Sequence, residues 1–189
     1  MEKVLKDVYF YKGHDYCSNA YLLVDEKVKI LIDSGNGELN FEEKPDYVFL
    51  THGHMDHTLG SKEFRSYLRK EDFRNEFPYF KPPNAIEINF TKMKISSFDF
   101  EFIHTPGHTE GSMCIFEKKR KILFTGDTIF SDGWVGRTDL PGGNYKKLEE
   151  SIKRIFSIFG KKIWKVEFPL DLSEIKVSIF PGHYELKIV

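Results

Sequence analysis

The segment Leu50–Gly60, LTHGHMDHTLG, constrains this chain more than any other and directly follows the apolar run DYVF. It places three of the seven histidines and one aspartate within six consecutive positions, in the spacing H-x-H-x-D-H. In extended backbone His52 and His54 face the same side, and Asp56 and His57 follow as the chain turns. Imidazole and carboxylate groups are ligands of zinc, iron and manganese. The spacing therefore predicts a metal site at a strand end rather than a solvated loop with chance histidines.

Three further apolar runs also end in a residue that can bind a metal. His108 follows FEFI within HTPGHTEGS, Asp127 follows KILF within LFTGDTIF, and His183 follows VSIF within IFPGHYE. A glycine precedes each of the three and allows close approach of the backbone. The candidate ligands are thus His52, His54, Asp56, His57, His108, Asp127 and His183. Seven ligands exceed one tetrahedral site and fit two metal ions, one with three histidines and one with an aspartate and two histidines.

Runs rich in Val, Ile, Tyr and Phe predict a chain of many short strands. The predicted strands lie at 7–11, 20–25, 29–35, 46–52, 85–90, 92–97, 100–105, 112–117, 121–127, 162–168 and 175–180. Apolar residues at helical spacing predict a helix over 145–159, with Gly160 as its stop, and Phe64 and Leu68 favour another over 60–70. This order of elements indicates an α+β arrangement in which helices cover sheets.

Composition limits the classes of function. The 189 residues fit one domain over 1–189, and 28 basic against 29 acidic residues favour neither nucleic acid nor disorder. Cys17 and Cys114 predict free thiols in a reducing compartment. The charged N-terminus does not match a secretory leader, and no apolar run reaches the ~20 residues of a membrane span. We therefore expect a cytoplasmic protein with a small-molecule substrate and neither a membrane nor a nucleic-acid partner, and oligomeric state stays open.

The five motifs LIDSG, THGHMDH, PGH, TGD and PGH together resemble the metallo-β-lactamase superfamily, and within it the glyoxalase II-like hydrolases. The resemblance covers nearly the whole chain. It implies an αβ/βα sandwich, in which two mixed sheets face each other and helices lie on the outer faces. It also implies that His52, His54 and His108 bind one metal ion. Asp56, His57 and His183 would bind a second, and Asp127 would bridge them.

Details of the motifs separate branches of this superfamily. His54 stands where flavodiiron proteins have glutamate, and Asp127 stands where true β-lactamases have cysteine or serine. Nothing resembles the substrate-gripping arm of RNase Z-type nucleases. Full-length glyoxalase II enzymes carry a C-terminal helical domain that helps bind the glutathione thioester, whereas this chain ends six residues after His183. Tyr184 also replaces the usual glycine after the last histidine, so recognition of glutathione is not implied.

Residues around the predicted ligands have predicted supporting roles. GDTIFSDGWVGRTDLPGG (126–143) resembles a stretch shared by small glyoxalase II-like proteins and persulfide dioxygenases. Its Arg137 either orients a substrate carboxylate or braces the loop through Asp139, and Trp134 and Tyr145 are candidates for the mouth of the substrate pocket. Asp33 either hydrogen-bonds a ligand histidine or caps a turn, and His104 is a candidate for support of His108.

The leading prediction is a binuclear metal-dependent hydrolase, with zinc favoured over iron or manganese, that cleaves a small thioester or ester by attack of a metal-bound hydroxide. Asp56 either accepts a proton from the water or acts only as a ligand. The alternative is an oxidoreductase similar to persulfide dioxygenases, with one iron held by His52, His108 and Asp127. A non-catalytic metal-binding domain is a third class, which the intact ligand set disfavours.

Overall fold

Two β-sheets form the centre of the computed structural model, which describes residues 1–41 and 44–189. The first sheet contains, in spatial order, β1 (Glu2–Leu5), β2 (Val8–Tyr11), β3 (Ala20–Val24), β4 (Lys29–Ile32), β5 (Tyr47–Phe49), β6 (Ser66–Leu68) and β7 (Ala85–Glu87). The second contains, in spatial order, β12 (Ser178–Pro181), β11 (Ile122–Gly126), β10 (Met113–Glu117), β9 (Phe98–His104) and β8 (Lys92–Ile95). Two α-helices, α1 (Met55–Thr58) and α2 (Tyr145–Phe159), and short 3-10 turns at Leu59–Ser61, Lys70–Asp72 and Leu172–Glu174 complete the described elements.

Both sheets are mixed. Strands β1 to β4 are antiparallel to one another, and β4 to β7 run parallel. In the second sheet β8 to β11 are antiparallel, and β12 lies parallel to β11. The parallel pairs place the ends of β4, β5 and β6 at one edge of the first sheet and those of β11 and β12 at one edge of the second. The prediction of two mixed sheets in an α+β sandwich is confirmed.

The core follows the alternation of side chains along the strands. Ile30 and Ile32 of β4 face the second sheet and join a cluster that includes Phe100 and Phe124, whereas Leu31 lies in a separate cluster on the opposite face. Because the apolar residues between the sheets come from both of them, this cluster holds the two sheets together.

The helix predicted over 145–159 is present with the predicted bounds. Asn144 caps it by accepting a hydrogen bond from the backbone N–H of Lys147 at 3.0 Å, and Gly160 ends it. Its buried stripe packs on the outer face of the second sheet, in the cluster that contains Ile103, Leu123 and Ile179. Within residues 1–41 and 44–189, none of the helices has the length and apolarity that a bilayer span requires.

Two secondary-structure predictions are wrong. Residues 60–70 form the end of a 3-10 turn and the strand β6 instead of a helix, because Leu68 is fully buried between the parallel strands β5 and β7. Residues 162–168 form no strand, since Trp164 is exposed and the side chains of Lys165 and Glu167 pair with each other in solvent. The structure also contains strand β1 at Glu2–Leu5, where the sequence predicted no strand.

Coverage of the first sheet also differs from expectation. Its outer face packs against Leu39, Phe41, Phe64 and Phe73, which lie in loops and turns, so no long helix covers this face among the described residues. Phe41, Phe64 and Phe73 therefore cover this face in the place where the resemblance implied a helix. Apolar clusters therefore lie on the outer faces of both sheets, built from loop residues on the first sheet and from α2 on the second.

Substitution of Ile152 by alanine tests how strongly α2 contributes to the fold. Ile152 is fully buried against the second sheet, so Ile152→Ala should lower the free energy of unfolding by about 2–5 kcal/mol through lost contacts and a residual cavity. Ile158 on the same helix is 48% exposed, so Ile158→Ala should change it by less than about 0.5 kcal/mol. Urea denaturation of both variants measures the difference, and equal losses would contradict this packing.

Candidate metal centre

The predicted ligand segments meet at one end of the two sheets. Backbone hydrogen bonds join the sheets there, from the N–H of Asn19 to the carbonyl of Gly182 at 2.7 Å and from that of Met113 to the carbonyl of Thr51 at 2.9 Å. The second bond anchors the start of the H-x-H-x-D-H segment on the strand that follows His108. Residues more than a hundred positions apart in the chain therefore lie side by side.

Three histidines form the first group of potential metal ligands. Ring nitrogens of His52, His54 and His108 lie within 4.8 Å of one another, and all three residues are buried. Nδ1 of His54 is 2.9 Å from Nε2 of His108. Three imidazoles that converge in this way match a metal site with nitrogen ligands.

A second group contains Asp56, His57 and His183, whose ligand atoms also lie within 4.8 Å of one another. Nε2 of His183 is 3.2 Å from Oδ2 of Asp56. Asp127 lies between the two groups, with Oδ1 at 3.3 Å from Nε2 of His57 and Oδ2 at 3.5 Å from Nε2 of His108. One carboxylate therefore reaches both groups, as the resemblance implied.

Unsatisfied buried atoms test whether these residues fit a metal ion. Nε2 of His52, Nε2 of His57 and Oδ1 of Asp127 are buried and have no hydrogen-bond partner among the described residues. A buried nitrogen or carboxylate oxygen without a partner costs free energy, and such atoms are rare in folded proteins. Ligand atoms of these three residues also lie within 4.8 Å of one another, and bound cations would satisfy them. The residues present therefore fit a metal centre.

Asp33 orients two of these histidines, His57 directly and His52 through Thr51. Its Oδ2 accepts hydrogen bonds from Nδ1–H of His57 and from the hydroxyl of Thr51, both at 2.8 Å, and its Oδ1 accepts one from the backbone N–H of Thr51. Since the hydroxyl of Thr51 donates to Asp33, its oxygen accepts from Nδ1–H of His52 at 3.2 Å. Both imidazoles therefore carry their proton on Nδ1 and leave Nε2 free for a metal.

His108 is oriented by a different partner. Its Nδ1–H donates to the backbone carbonyl of Arg137 at 2.7 Å, which leaves Nε2 directed at the first group. Gly136 makes this contact feasible, because a Cβ atom there would lie 2.8 Å from Nδ1 of His108. The backbone of Arg137 thus takes part in the site whatever its side chain does.

Burial and neighbouring charges shift the pKa values of the ligands. Burial together with His108 lowers the pKa of His54 to about 3, and burial together with His57 holds the pKa of His52 well below its ordinary value. Burial alone would lower the pKa of His57, but the charges of Asp56 and Asp33 outweigh it and raise the pKa well above normal. The region around His57 is therefore one in which the protein favours positive charge.

The two carboxyl groups are ionised. Burial alone would raise the pKa of Asp127, but the positive charges of His183 and His57 outweigh it and hold the value well below normal. Burial also opposes ionisation of Asp56, yet His57 and the hydrogen bond from His183 lower its pKa. The site therefore combines the imidazoles of His52 and His54, whose low pKa keeps them neutral, with ionised carboxylates in a region that favours positive charge, and this donor set suits a divalent cation.

Asp72 is a supporting residue that was not among the predicted site residues. It is fully buried, and its Oδ2 accepts hydrogen bonds from the backbone N–H of Gly53 at 2.8 Å and the hydroxyl of Thr109 at 2.7 Å. Its Oδ1 accepts from the backbone N–H of Gly111 at 2.8 Å. Gly53 separates His52 from His54, and Thr109 follows His108. One carboxylate therefore joins the two loops that carry the first group.

Nothing in the sequence RKEDF distinguishes Asp72 from the surface acids around it. The glycines it contacts are a partial indication, because Cβ atoms at Gly53 and Gly111 would lie 2.7 Å and 2.6 Å from the side chain of Asp72. These glycines show that a side chain approaches both loops closely. They do not show which one, since the partner lies on a different segment.

The remaining predicted site residues lie in different places. His104 is half-buried, and its Nε2 bonds the carbonyl of Glu110, so its support acts through the loop and not through a contact with a ligand ring. The guanidinium of Arg137 lies beside the site, but it forms two hydrogen bonds with Asp139, at 2.7 Å and 2.6 Å. This contact is the bracing arrangement, one of the two roles that the sequence predicted for Arg137.

A cleft of 840 Å³ opens beside both ligand groups and is lined by His54, Asp56, His108, Asp127 and His183. Arg137 also lines it, whereas Trp134 and Tyr145 do not. The ring of Trp134 instead stacks on Phe168, at 6.1 Å between centroids and 11° between planes, and Tyr145 begins α2 in solvent. The structure therefore does not bring these two aromatic residues to the cleft.

Two facing mixed sheets with a histidine- and aspartate-rich centre at one end define a sandwich-fold protein whose residues can hold metal ions. Comparison with known families agrees, because residues 17–158 match the model of the metallo-β-lactamase superfamily. The chain belongs to this superfamily, whose members include metal-dependent hydrolases.

Relatives extend over most of the chain. A probable metallo-hydrolase of Methanocaldococcus jannaschii is 31% identical over 92% of this chain and 91% of its own length. The hydroxyacylglutathione hydrolase GloC of Haemophilus influenzae is 30% identical over 68% of this chain and 74% of its own length. Among solved structures, TTHA1623 in a di-iron-bound form has a TM-score of 0.69 and 24% identity, with 95% of this chain and 94% of that chain covered. The last likeness shows a shared fold.

Substitution of Asp72 by asparagine tests its role in the metal centre. The amide has the same size, but both oxygens of Asp72 accept hydrogen bonds. The NH2 group of asparagine would therefore face at least one N–H or O–H donor and could not accept its hydrogen bond. We expect the dissociation constant of the metal ion at the first group to rise about 10- to 100-fold. Titration of metal-free protein against a chromophoric chelator measures this constant.

Asp99→Asn is the matched control, because Asp99 lies on β9 and its carboxylate only approaches Lys94 at 3.7 Å. This variant should bind metal like the unaltered protein. Unchanged metal affinity in Asp72→Asn, with the fold intact by circular dichroism, would show that the loops hold their positions without the buried carboxylate.

Proposed function

We propose that this protein is a hydrolase that uses two divalent metal ions, with zinc as the favoured metal, to cleave a small thioester or ester. The observation that carries the proposal is the pair of ligand groups on one cleft wall, with Asp127 within reach of both. The relative from Haemophilus influenzae, a hydroxyacylglutathione hydrolase by name, supports a thioester as the class of substrate.

The chain offers a defined set of residues to hold the metals. His52, His54 and His108 would hold one ion, Asp56, His57 and His183 the other, and Asp127 would contact both. When bound, such ions lower the pKa of water and polarise a carbonyl oxygen. Asp33, through its hydrogen bonds to His57 and Thr51, keeps the imidazoles in the tautomer that ligation requires.

Asp56 is the group best placed to handle a proton. Its side chain is 25% exposed and lines the cleft, whereas that of Asp127 is 10% exposed. Its ionised carboxylate can accept a proton from water in the cleft, and His183 at 3.2 Å restrains its orientation. We therefore assign Asp56 both as a ligand and as the catalytic proton acceptor.

Metal content and turnover together test the proposal. Elemental analysis should give about two metal ions per chain, because two groups of ligands are present. His54→Ala should lower this content and reduce hydrolysis of S-lactoylglutathione or a simple thioester by about a hundredfold or more. His14→Ala removes a histidine that does not line the cleft, and it should leave both measurements unchanged.

The same measurements separate the competing functions. A single iron per chain with oxygen consumption on a persulfide substrate would favour an oxidoreductase with iron held by His52, His108 and Asp127. Full metal loading without turnover of any ester or thioester would favour a non-catalytic metal-binding protein. Turnover that persists in metal-depleted His54→Ala would contradict the proposed hydrolase.

A further inference from the structure

The cleft beside the metal centre has an apolar rim. Three of the large hydrophobic side chains that the described structure exposes to solvent lie in its lining, namely Tyr16, Phe77 and Tyr184, which are 89%, 74% and 61% exposed. Leu59, Val135 and Leu140 also line it. Aromatic rings held in water beside a concave site are typical of surfaces that a ligand covers.

Two of these rings are held close to the ligands by the backbone. Phe77 precedes Pro78, whose carbonyl accepts a hydrogen bond from the N–H of Met55 at 2.9 Å, and Met55 separates His54 from Asp56. Tyr184 directly follows His183, and its ring lies edge-on to Phe130 at 5.2 Å between centroids. The apolar rim therefore has a fixed position relative to the side chains that would bind the metal ions.

Charge in the cleft is sparse outside the ligands. Of the described lining residues, only Asp15 and Arg137 carry a formal charge besides the predicted metal ligands. The guanidinium of Arg137 already has an acidic partner, because it donates two hydrogen bonds to Asp139. Asp15 is a carboxylate and repels anions. Outside the metal centre, the described lining residues therefore offer no cation without an acidic partner to a substrate with carboxylate groups.

A glutathione thioester is poorly matched to such a cleft. Its tripeptide carries two carboxylates and one ammonium at neutral pH, and burial of an unpaired carboxylate is costly. The binding of an uncharged alkyl or aryl group, by contrast, becomes more favourable in proportion to the apolar surface area that it removes from water. The balance of charge and apolar area thus favours a neutral substrate.

We propose that the substrate is a thioester or ester whose groups on both sides of the reacting carbonyl are uncharged and apolar, and that Phe77 and Tyr184 contact one of these groups. This inference rests on the proposed hydrolase function. In the reaction, the oxygen of water bonds to the acyl carbon and the C–S or C–O bond breaks. The leaving thiolate or alkoxide takes up one proton from the water. The products are a carboxylic acid and a thiol or alcohol.

Two thioesters with the same acyl group test the inference on the metal-loaded protein. S-butyryl-N-acetylcysteamine is neutral, and S-butyrylglutathione carries the charged tripeptide. We expect kcat/KM to be about tenfold or more higher for the neutral thioester, the scale of discrimination that an apolar contact provides. Phe77→Ser should lower kcat/KM for the neutral thioester by a similar factor, mainly through KM.

Trp164→Ser is the matched control, because Trp164 is 79% exposed and does not line the cleft, so this variant should resemble the unaltered protein on both thioesters. Equal rates on the two thioesters, or a preference for the glutathione thioester, would overturn the apolar-substrate inference and leave the hydrolase intact. No turnover of either thioester would overturn the inference, and no turnover of any ester or thioester at full metal loading would overturn the hydrolase as well.

Discussion

Two buried carboxylates, those of Asp33 and Asp72, hold the ligand-bearing loops in position, and the rest of the site depends on them. Asp33 accepts hydrogen bonds from His57 and Thr51, and Asp72 accepts them from both loops of the first histidine group. Hydrogen-bond donors from the backbone, from hydroxyls and from His57 satisfy the two carboxylates, which offsets part of the cost of their burial. The imidazoles are therefore arranged before a metal binds, which reduces the conformational entropy that binding must overcome.

The sandwich determines where these loops can be. Parallel pairing aligns the ends of β4 and β5 in one sheet and of β11 and β12 in the other, and backbone bonds from Asn19 and Met113 join the sheets at that end. The apolar cluster between the sheets keeps the two edges together. A metal centre assembled from four distant segments is thus a consequence of sheet packing, and the exposed aromatic rings of Phe77 and Tyr184 lie where that packing leaves a cleft.

The sequence predicted much of this arrangement because its ligands follow apolar runs directly. The H-x-H-x-D-H spacing and the glycines before His108, Asp127 and His183 identified the segments that the structure brings together. The predictions failed where a local pattern fits two structures. Phe64 and Leu68 are four residues apart, as on a helical face, yet Leu68 lies in a strand because two parallel neighbours bury it.

The sequence by itself therefore determined which side chains can bind metal and which segments form the core strands, since both depend on residue type and spacing along the chain. Only the tertiary structure decided which residues support those ligands and which line the cleft. Asp72 is one acid among several in a polar stretch, and Trp134 stacks on Phe168 away from the cleft. Both outcomes depend on contacts between segments far apart in sequence, and local residue patterns do not encode such contacts.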